Sequence, residues 1–118
     1  GGTVSYVEKT ASNLAKSGIE VFLLVPSSGE LGIVKTEQLG VNLNLLSVGI
    51  TKGDTVKYSS EERVKLCNWV KDNVVDLAVK LEVQNVHLLY GLFLANALPT
   101  EELAKKNIKT FNKKKYYN

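Results

Sequence analysis

The sequence predicts an α/β fold in which a mainly parallel sheet lies between helices. Segments with helical periodicity alternate with short apolar segments along the chain. The clearest apolar segment is almost continuous, which is typical of a parallel strand buried on both faces. The length of 118 residues allows one compact domain, and the 44% hydrophobic content supplies a core. Right-handed crossovers are expected to connect the parallel strands.

The chain begins with a predicted helix over residues 3–17 and a strand over 19–25. Gly18 suits the position just past the helix, where a left-handed backbone conformation ends it at little cost. Residues 26–29 are predicted to end the strand as a loop. The apolar face of the helix consists of Val4, Val7, Ala11, Leu14 and Ala15.

The middle of the chain contains a second strand candidate. Residues 30–42 are ambiguous, and a short helix around 35–39 is one interpretation. Residues 41–48 favour a strand, most strongly over 44–48. Residues 49–58 contain glycine and aspartate and are predicted to form a polar loop.

A long helix is predicted over residues 60–81. Ser59 and Glu62 have the spacing of a capping box, in which the serine oxygen accepts a free backbone N–H and the glutamate reaches back. Its predicted apolar face consists of Val64, Cys67, Val70, Val74, Leu77, Ala78 and Leu81.

The last third contains two more strands. Residues 85–90 form the next predicted strand, and Gly91 permits a tight exit. Residues 92–106 have a helical composition, but Pro99 predicts a kink or break. A short strand is expected over 108–111, and a basic tail over 112–118.

Positive charge is concentrated near the end of the sequence. The segment 105–118 has no acidic residue and contains Lys105, Lys106, Lys109, Lys113, Lys114 and Lys115. Such a run can contact nucleic acid or an anionic membrane, but more often it is a solvated chain end. No aromatic platform for single strands accompanies it except Tyr116 and Tyr117. We therefore expect no nucleic-acid partner, and no apolar run is long enough for a membrane span.

No set of residues in the sequence suggests catalysis by this chain. Cys67 is the only cysteine, so no intramolecular disulfide can form and a cytoplasmic location is expected. Cys67 and His87 do not make a metal site, and no Walker motif is present. A serine nucleophile would lack a base and an orienting group. We expect no metal, no cofactor and no catalytic residue.

The opening stretch GGTVSYVEKTASNLAKSGIEVFLLVP resembles the N-terminal domain of retaining, two-domain nucleotide-sugar glycosyltransferases. These are the GT-B-type enzymes of the group 1 or glycogen-synthase-like superfamily. In that family a Gly-Gly turn leads from the first strand into a helix ending Leu-Ala-x-x-Gly, followed by a strand beginning Glu-Val. The matching residues are Gly1-Gly2, Leu14-Ala15-Lys16-Ser17-Gly18 and Glu20-Val21. Ile19 stands where the family usually has histidine.

A second stretch, NVHLLYGLF at residues 85–93, resembles the family's later Val-His-x-His-Tyr-Gly segment. Leu89 replaces the second histidine. The resemblance covers about residues 1–98 and implies a Rossmann-like three-layer domain over 1–111, with its first strand missing. In the family that strand is central in the sheet, between the strands predicted here at 19–25 and 85–90. The C-terminal domain with most donor contacts, and a histidine expected near Asn112, are also absent from the sequence.

The resemblance implies two groups of binding residues. Donor-phosphate contact is expected at Gly1, Gly2 and Thr3, because a turn without side chains lets backbone N–H groups approach a phosphate at the positive helix end. Alternatively, the glycines serve only the shape of the turn. The acceptor-side candidates are His87, Tyr90, Gly91, Ser27 and Ser28. Their structural alternatives are a buried histidine, a packing tyrosine and loop-capping serines.

Two functions remain open from the sequence. The first is a partial glycosyltransferase domain, inactive alone, that contributes acceptor binding and donor-phosphate contact in a longer parent. Its partners would be a nucleotide-sugar donor and a sugar or glycoconjugate acceptor. The second is a standalone α/β ligand-binding or protein-interaction module without transfer activity. Unpaired sheet edges would favour self-association in either case.

Overall fold

The computed structural model describes residues 2–51, 59–88, 94 and 96–112. Within these residues the chain is mixed α/β, as predicted, and it divides into two compact units, residues 1–62 and 63–118. The elements are α1 (Gly2–Lys16), β1 (Val21–Ser28), β2 (Gly32–Gly40), β3 (Leu43–Thr51), α2 (Ser60–Lys80), β4 (Asn85–Leu88), α3 (Thr100–Lys105) and β5 (Lys109–Asn112). Four sequence predictions lie wholly or mostly outside the described residues: those for Gly1, the polar loop over 49–58, Tyr90 with Gly91, and the basic tail beyond Asn112. The described part of that predicted loop, residues 49–51, is instead the end of β3.

The first unit contains a three-stranded sheet in the order β1-β3-β2. β1 pairs with β3 in parallel, and β2 pairs with β3 in antiparallel orientation. The central strand is buried from Leu46 to Gly49, and Val48 is fully inaccessible to solvent. Helix α1 packs on β1 and β3, and the small residues Ala11 and Ala15 are the buried ones among its described side chains, residues 7–16.

Helix α1 ends as the sequence predicts. Gly18 has a φ of 94°, in the left-handed region. The Ile19 N–H donates to the Leu14 carbonyl at 3.2 Å, and the Gly18 N–H donates to the Ala15 carbonyl at 3.1 Å. This pair of bonds is the Schellman motif, which satisfies carbonyl groups that the last helical turn leaves without partners.

Strand β2 corrects the interpretation of residues 30–42, where a short helix was considered. The segment pairs with β3 through a two-residue connection, Val41–Asn42. Asn42 has a φ of 60°, which asparagine tolerates, and its side-chain amide donates to the Ala15 carbonyl at 3.5 Å. Because β2 runs antiparallel, the three-stranded sheet is mixed rather than mainly parallel.

Strand β1 continues through residues 26–28, which the sequence predicts as a loop. The Val21 N–H donates to the Asn42 carbonyl at 2.7 Å, so the odd-numbered residues of β1 direct their backbone groups toward β3. Pro26 therefore occupies a position whose N–H would face the free edge. The missing donor costs the β1–β3 ladder nothing, so proline does not end the strand.

The connection between β1 and β2 passes over Gly49. The two strands lie on opposite sides of β3, so residues 29–31 must cross the end of that strand. A Cβ atom at Gly49 would overlap the Glu30 carbonyl oxygen and would lie 2.9 Å from the Gly29 carbonyl carbon. The crossing thus requires a residue without a side chain.

Helix α2, most of which belongs to the second unit, begins at the predicted capping box. The Glu62 N–H donates to the Ser59 Oγ at 3.2 Å, and the serine hydroxyl donates to the glutamate Oε1 at 3.3 Å. The buried residues are Leu66, Val70, Val74 and Ala78, one every fourth position.

The predicted apolar face of α2 is partly wrong. Val64 is 58% exposed and Cys67 is only half-buried, whereas Leu66 is buried. Two residues correspond to about 200° around a helix, so Val64 and Leu66 lie on opposite sides and only one can join the buried row.

The second unit contains a strand–helix–strand motif, β4–α3–β5. β4 and β5 are parallel and form a separate two-stranded sheet, so β4 does not pair with β1 or β3. The predicted break at Pro99 is confirmed, because α3 begins at the next residue. Leu103 and Ile108 are buried. The predicted final strand is also confirmed, with a one-residue shift.

Candidate functional site

The proposed phosphate contact falls at the start of α1. Gly2 and Thr3 are the first two residues of this helix. The first turn contains no acidic residue, so no side-chain carboxylate there competes for its backbone N–H groups. These N–H groups and the helix dipole make this end electrostatically positive.

Ser27 and Ser28 lie on the last two positions of β1. The Ser27 hydroxyl donates to the Ser28 carbonyl at 3.4 Å, and the register with β3 shifts between the two serines. Their interpretation as loop caps is wrong, because both belong to the strand.

His87 lies on β4 with its ring exposed, which contradicts a buried structural histidine. Its neighbours Val86 and Leu88 are half-buried on the opposite face of the strand, since side chains alternate along a strand. The ring stacks on Phe111 of β5, with 4.6 Å between centroids and 13° between planes. Partial burial lowers the pKa of His87 below its usual value of 6.5.

The exposed face of the β4–β5 sheet presents four side chains in two register pairs. Asn85 lies opposite Lys109, and His87 lies opposite Phe111. All four residues are exposed. An amide, an ammonium group and two aromatic rings therefore share one small face, which can stack a flat ligand and attract an anion.

An open groove of about 520 Å³ runs beside this face, between α3 and β5. Its lining includes Thr100, Ala104, Asn107, Lys109, Thr110 and Phe111. Phe111 thus belongs to both features. The groove has an aromatic wall, a cation and several hydrogen-bonding groups, all within the second unit.

Sequence reasoning identified His87 but missed Phe111, Lys109 and Asn85 as its neighbours. Their proximity depends on the pairing of β4 with β5, which residue types alone do not specify. The sequence alternates polar and apolar residues over Asn85–Leu88, but Lys109–Asn112 has no such alternation, so the partner strand carried no equivalent signal.

The other sequence candidates belong to other parts of the chain. Gly2, Thr3, Ser27 and Ser28 belong to the first unit, whereas Tyr90 and Gly91 are outside the described residues. Within the described ranges, no group of three or more histidine, cysteine, aspartate or glutamate side chains could hold a metal ion. No described helix is long and apolar enough to cross a membrane. No family model, curated protein or solved structure matches the sequence.

Proposed function

We propose that the chain is part of the N-terminal domain of a retaining, two-domain nucleotide-sugar glycosyltransferase. The observation that carries this proposal is the path of residues 2–28. Helix α1 covers Gly2–Lys16, a left-handed Gly18 follows it, and the chain returns as the apolar strand β1, parallel to β3. The resemblance of the opening stretch implies the same path.

The start of α1 would supply the contact to the donor diphosphate. Its unsatisfied backbone N–H groups can donate to phosphate oxygens, and the helix dipole favours negative charge there. Gly2 has no side chain to keep a phosphate away from the backbone. The first turn carries no carboxylate to repel it.

The acceptor side would use hydrogen-bonding groups at strand ends. The resemblance assigns acceptor contacts to Ser27 and Ser28 in the first unit and to His87 in the second, and each of these side chains can donate to or accept from sugar hydroxyl groups. The lowered pKa of His87 keeps the ring neutral at neutral pH, so one ring nitrogen can act as an acceptor. Tyr90 and Gly91 are further acceptor-side candidates from the resemblance.

Among the described residues β1 pairs only with β3, and its other edge supports the proposal that the domain is Rossmann-like and incomplete. Phe22 and Leu24 direct their backbone N–H groups away from β3, and no charged residue occurs in β1. The opposite edge strand, β2, has an ion pair between Lys35 and Glu37 at 3.3 Å and two register irregularities. Such features discourage pairing at an edge, and β1 lacks them over residues 21–25. A strand preceding Gly1 in the parent would pair there and make the sheet more parallel.

A second candidate function is a standalone ligand-binding module. The exposed His87–Phe111 stack favours it, because such a pair forms a recognition surface without any transfer chemistry. In either case the single cysteine is compatible with the reducing cytoplasm.

Nucleotide-sugar turnover distinguishes the two candidates. The longer parent, incubated with a panel of nucleotide sugars and simple acceptors, should transfer sugar and retain the anomeric configuration. The isolated chain should show no transfer above background, because the donor domain supplies most donor contacts in the family. Turnover by the isolated chain would contradict the partial-domain proposal, and a parent without any transfer would favour the binding module.

A further inference from the structure

The α3–β5 groove and the exposed β4–β5 face have features that the proposed glycosyltransferase function does not use. They combine an aromatic wall with a local excess of lysine. Both features belong to the second unit, so an inference from them stands independently of the glycine turn in the first unit.

The aromatic pair leaves ring surface open for stacking. His87 and Phe111 are register partners on adjacent strands, and their centroid spacing of 4.6 Å is close to the strand spacing. Each ring therefore covers one side of the other. Phe111 is 39% exposed and also lines the groove. A flat ligand that enters the groove can stack on this ring.

The charges around the groove favour an extended anion. Lys105, Lys106 and Lys109 are exposed, and no acidic residue occurs from Lys105 onward. Glu101 and Glu102 lie in the first turn of α3, at the other end of the helix. A polyanion is therefore attracted to the lysine end and repelled from the glutamate end, which limits where it can bind.

We propose that this groove binds single-stranded nucleic acid. One base stacks on Phe111, while neighbouring phosphates contact Lys105, Lys106 and Lys109. Asn107 and Thr110 supply hydrogen bonds to the base edge or the sugar. Stacking on an aromatic ring beside a basic groove is the general mode of single-strand binding.

The number and spread of the lysines favour a strand over a single nucleotide. Lys105, Lys106 and Lys109 are all exposed, and three ammonium groups can contact more phosphates than a mononucleotide carries. From the sequence, the lysine run indicated only a solvated end because no aromatic platform accompanied it. Phe111, stacked on His87, supplies that platform.

Fluorescence anisotropy of the full chain with a labelled oligothymidine of about twelve nucleotides tests the proposal. Binding should be saturable at low salt, with a slope of log affinity against log salt of about −2 for three phosphate contacts. Lys109→Ala should make that slope shallower by roughly 0.7. Lys16→Ala, an exposed lysine of the first unit, should change neither affinity nor slope.

Substitutions of Phe111 separate stacking from charge attraction. Phe111→Leu keeps an apolar side chain for folding but should weaken binding about tenfold, as expected for one lost base–aromatic stack. Phe111→Trp should keep or improve the affinity. Circular dichroism verifies that both variants are folded.

Four further ligands show whether the groove prefers single-stranded nucleic acid to other anions: inorganic polyphosphate, thymidine monophosphate, a duplex and anionic vesicles. Inorganic polyphosphate of similar length should bind more weakly and be insensitive to Phe111→Leu, and thymidine monophosphate should bind far more weakly than the oligonucleotide. A duplex of equal length should also bind less tightly. The proposal is overturned if polyphosphate, the mononucleotide, the duplex or anionic vesicles bind as tightly as the single strand. It is also overturned if no binding occurs at low salt.

Discussion

Gly49 lies where the β1–β2 connection crosses β3, and the obstacle to a side chain there is backbone. A Cβ atom would overlap the Glu30 carbonyl oxygen, and a backbone group cannot rotate away as a flexible side chain can. Gly49→Ala should therefore lower the free energy of unfolding by about 2 kcal/mol. Urea denaturation measures the change.

Gly40 provides the matched control for this substitution. A Cβ atom added there has no neighbour within 4 Å, and its backbone is outside the left-handed region. Gly40→Ala should change stability by less than about 0.5 kcal/mol. Equal effects at the two glycines would show that the crossing does not constrain Gly49.

His87 gives the stability of the chain a pH dependence. Burial lowers its pKa in the folded state, so the unfolded chain binds more protons as the pH falls below 6.5. Stability is therefore fully present above that value and decreases as the pH falls through the folded-state pKa. Urea denaturation at about pH 7.5 and about pH 5.5 should show this decrease. The decrease should be smaller in His87→Gln, and an identical decrease in the variant would exclude His87 as its source.

Residue-level patterns predicted His87 as a site residue but not its partner. Its alternation with Val86 and Leu88 is visible in the sequence, whereas the stack with Phe111 depends on two strands that are distant in sequence. Exposure of the ring was also misjudged, because apolar neighbours on a strand point to its opposite face. The local sequence thus places His87 on a strand, and the pairing of β4 with β5 determines what surrounds it.

The three described helices end with the same hydrogen-bond pattern, and one of them has a residue poorly suited to the left-handed position of that pattern. Each helix ends in a Schellman pair of hydrogen bonds around a left-handed residue, at Gly18, Glu82 and Asn107. Glutamate is poorly suited to its φ of 57° because its Cβ crowds the backbone. Glu82→Gly should therefore stabilise the chain by about 1 kcal/mol in thermal or urea unfolding. Gly18→Glu is the reverse substitution and should destabilise it, and a loss of stability in Glu82→Gly would contradict this account of the helix ends.

Two proline substitutions at adjacent positions test which residues of β1 direct their N–H groups toward β3. Leu23 directs its N–H toward β3, so Leu23→Pro should remove a ladder bond and cost about 3 kcal/mol. Leu24 directs its N–H to the free edge, so Leu24→Pro should cost less and should suppress self-association at that edge. Sedimentation velocity and urea denaturation measure the two effects. Equal destabilisation by both prolines would contradict the assignment of the Leu23 N–H to the β3 side and the Leu24 N–H to the other edge.

At the level of elements, local signals predicted the helices better than the strands. The Ser59–Glu62 capping box, Gly18 and Pro99 each act within one turn of chain, and each predicted boundary is confirmed to within one or two residues. Strand β2 was missed because most of its described side chains are exposed and no alternating burial marks it. Its extended form depends on pairing with β3, which is a non-local interaction.

At the level of the whole molecule, the α/β class followed from the alternation of helical and apolar segments. The division into two sheets did not, because the alternation contains no information on which strands are neighbours. The proposal of a partial glycosyltransferase domain rests on two features of the first unit: helix α1, and the β1 edge that pairs with no strand among the described residues. The lysine-rich groove belongs to the second unit.

The most direct test of the glycosyltransferase proposal is donor affinity in the longer parent with and without Gly2→Val. A valine side chain at the start of α1 would block the close approach of a phosphate to the backbone. Loss of one charge-assisted hydrogen bond corresponds to roughly ten- to a hundredfold weaker binding of the nucleotide sugar. Gly40→Val, at a glycine with open space around it, should leave the affinity unchanged. Equal donor affinity of the parent with glycine or valine at position 2 would contradict phosphate contact at this turn.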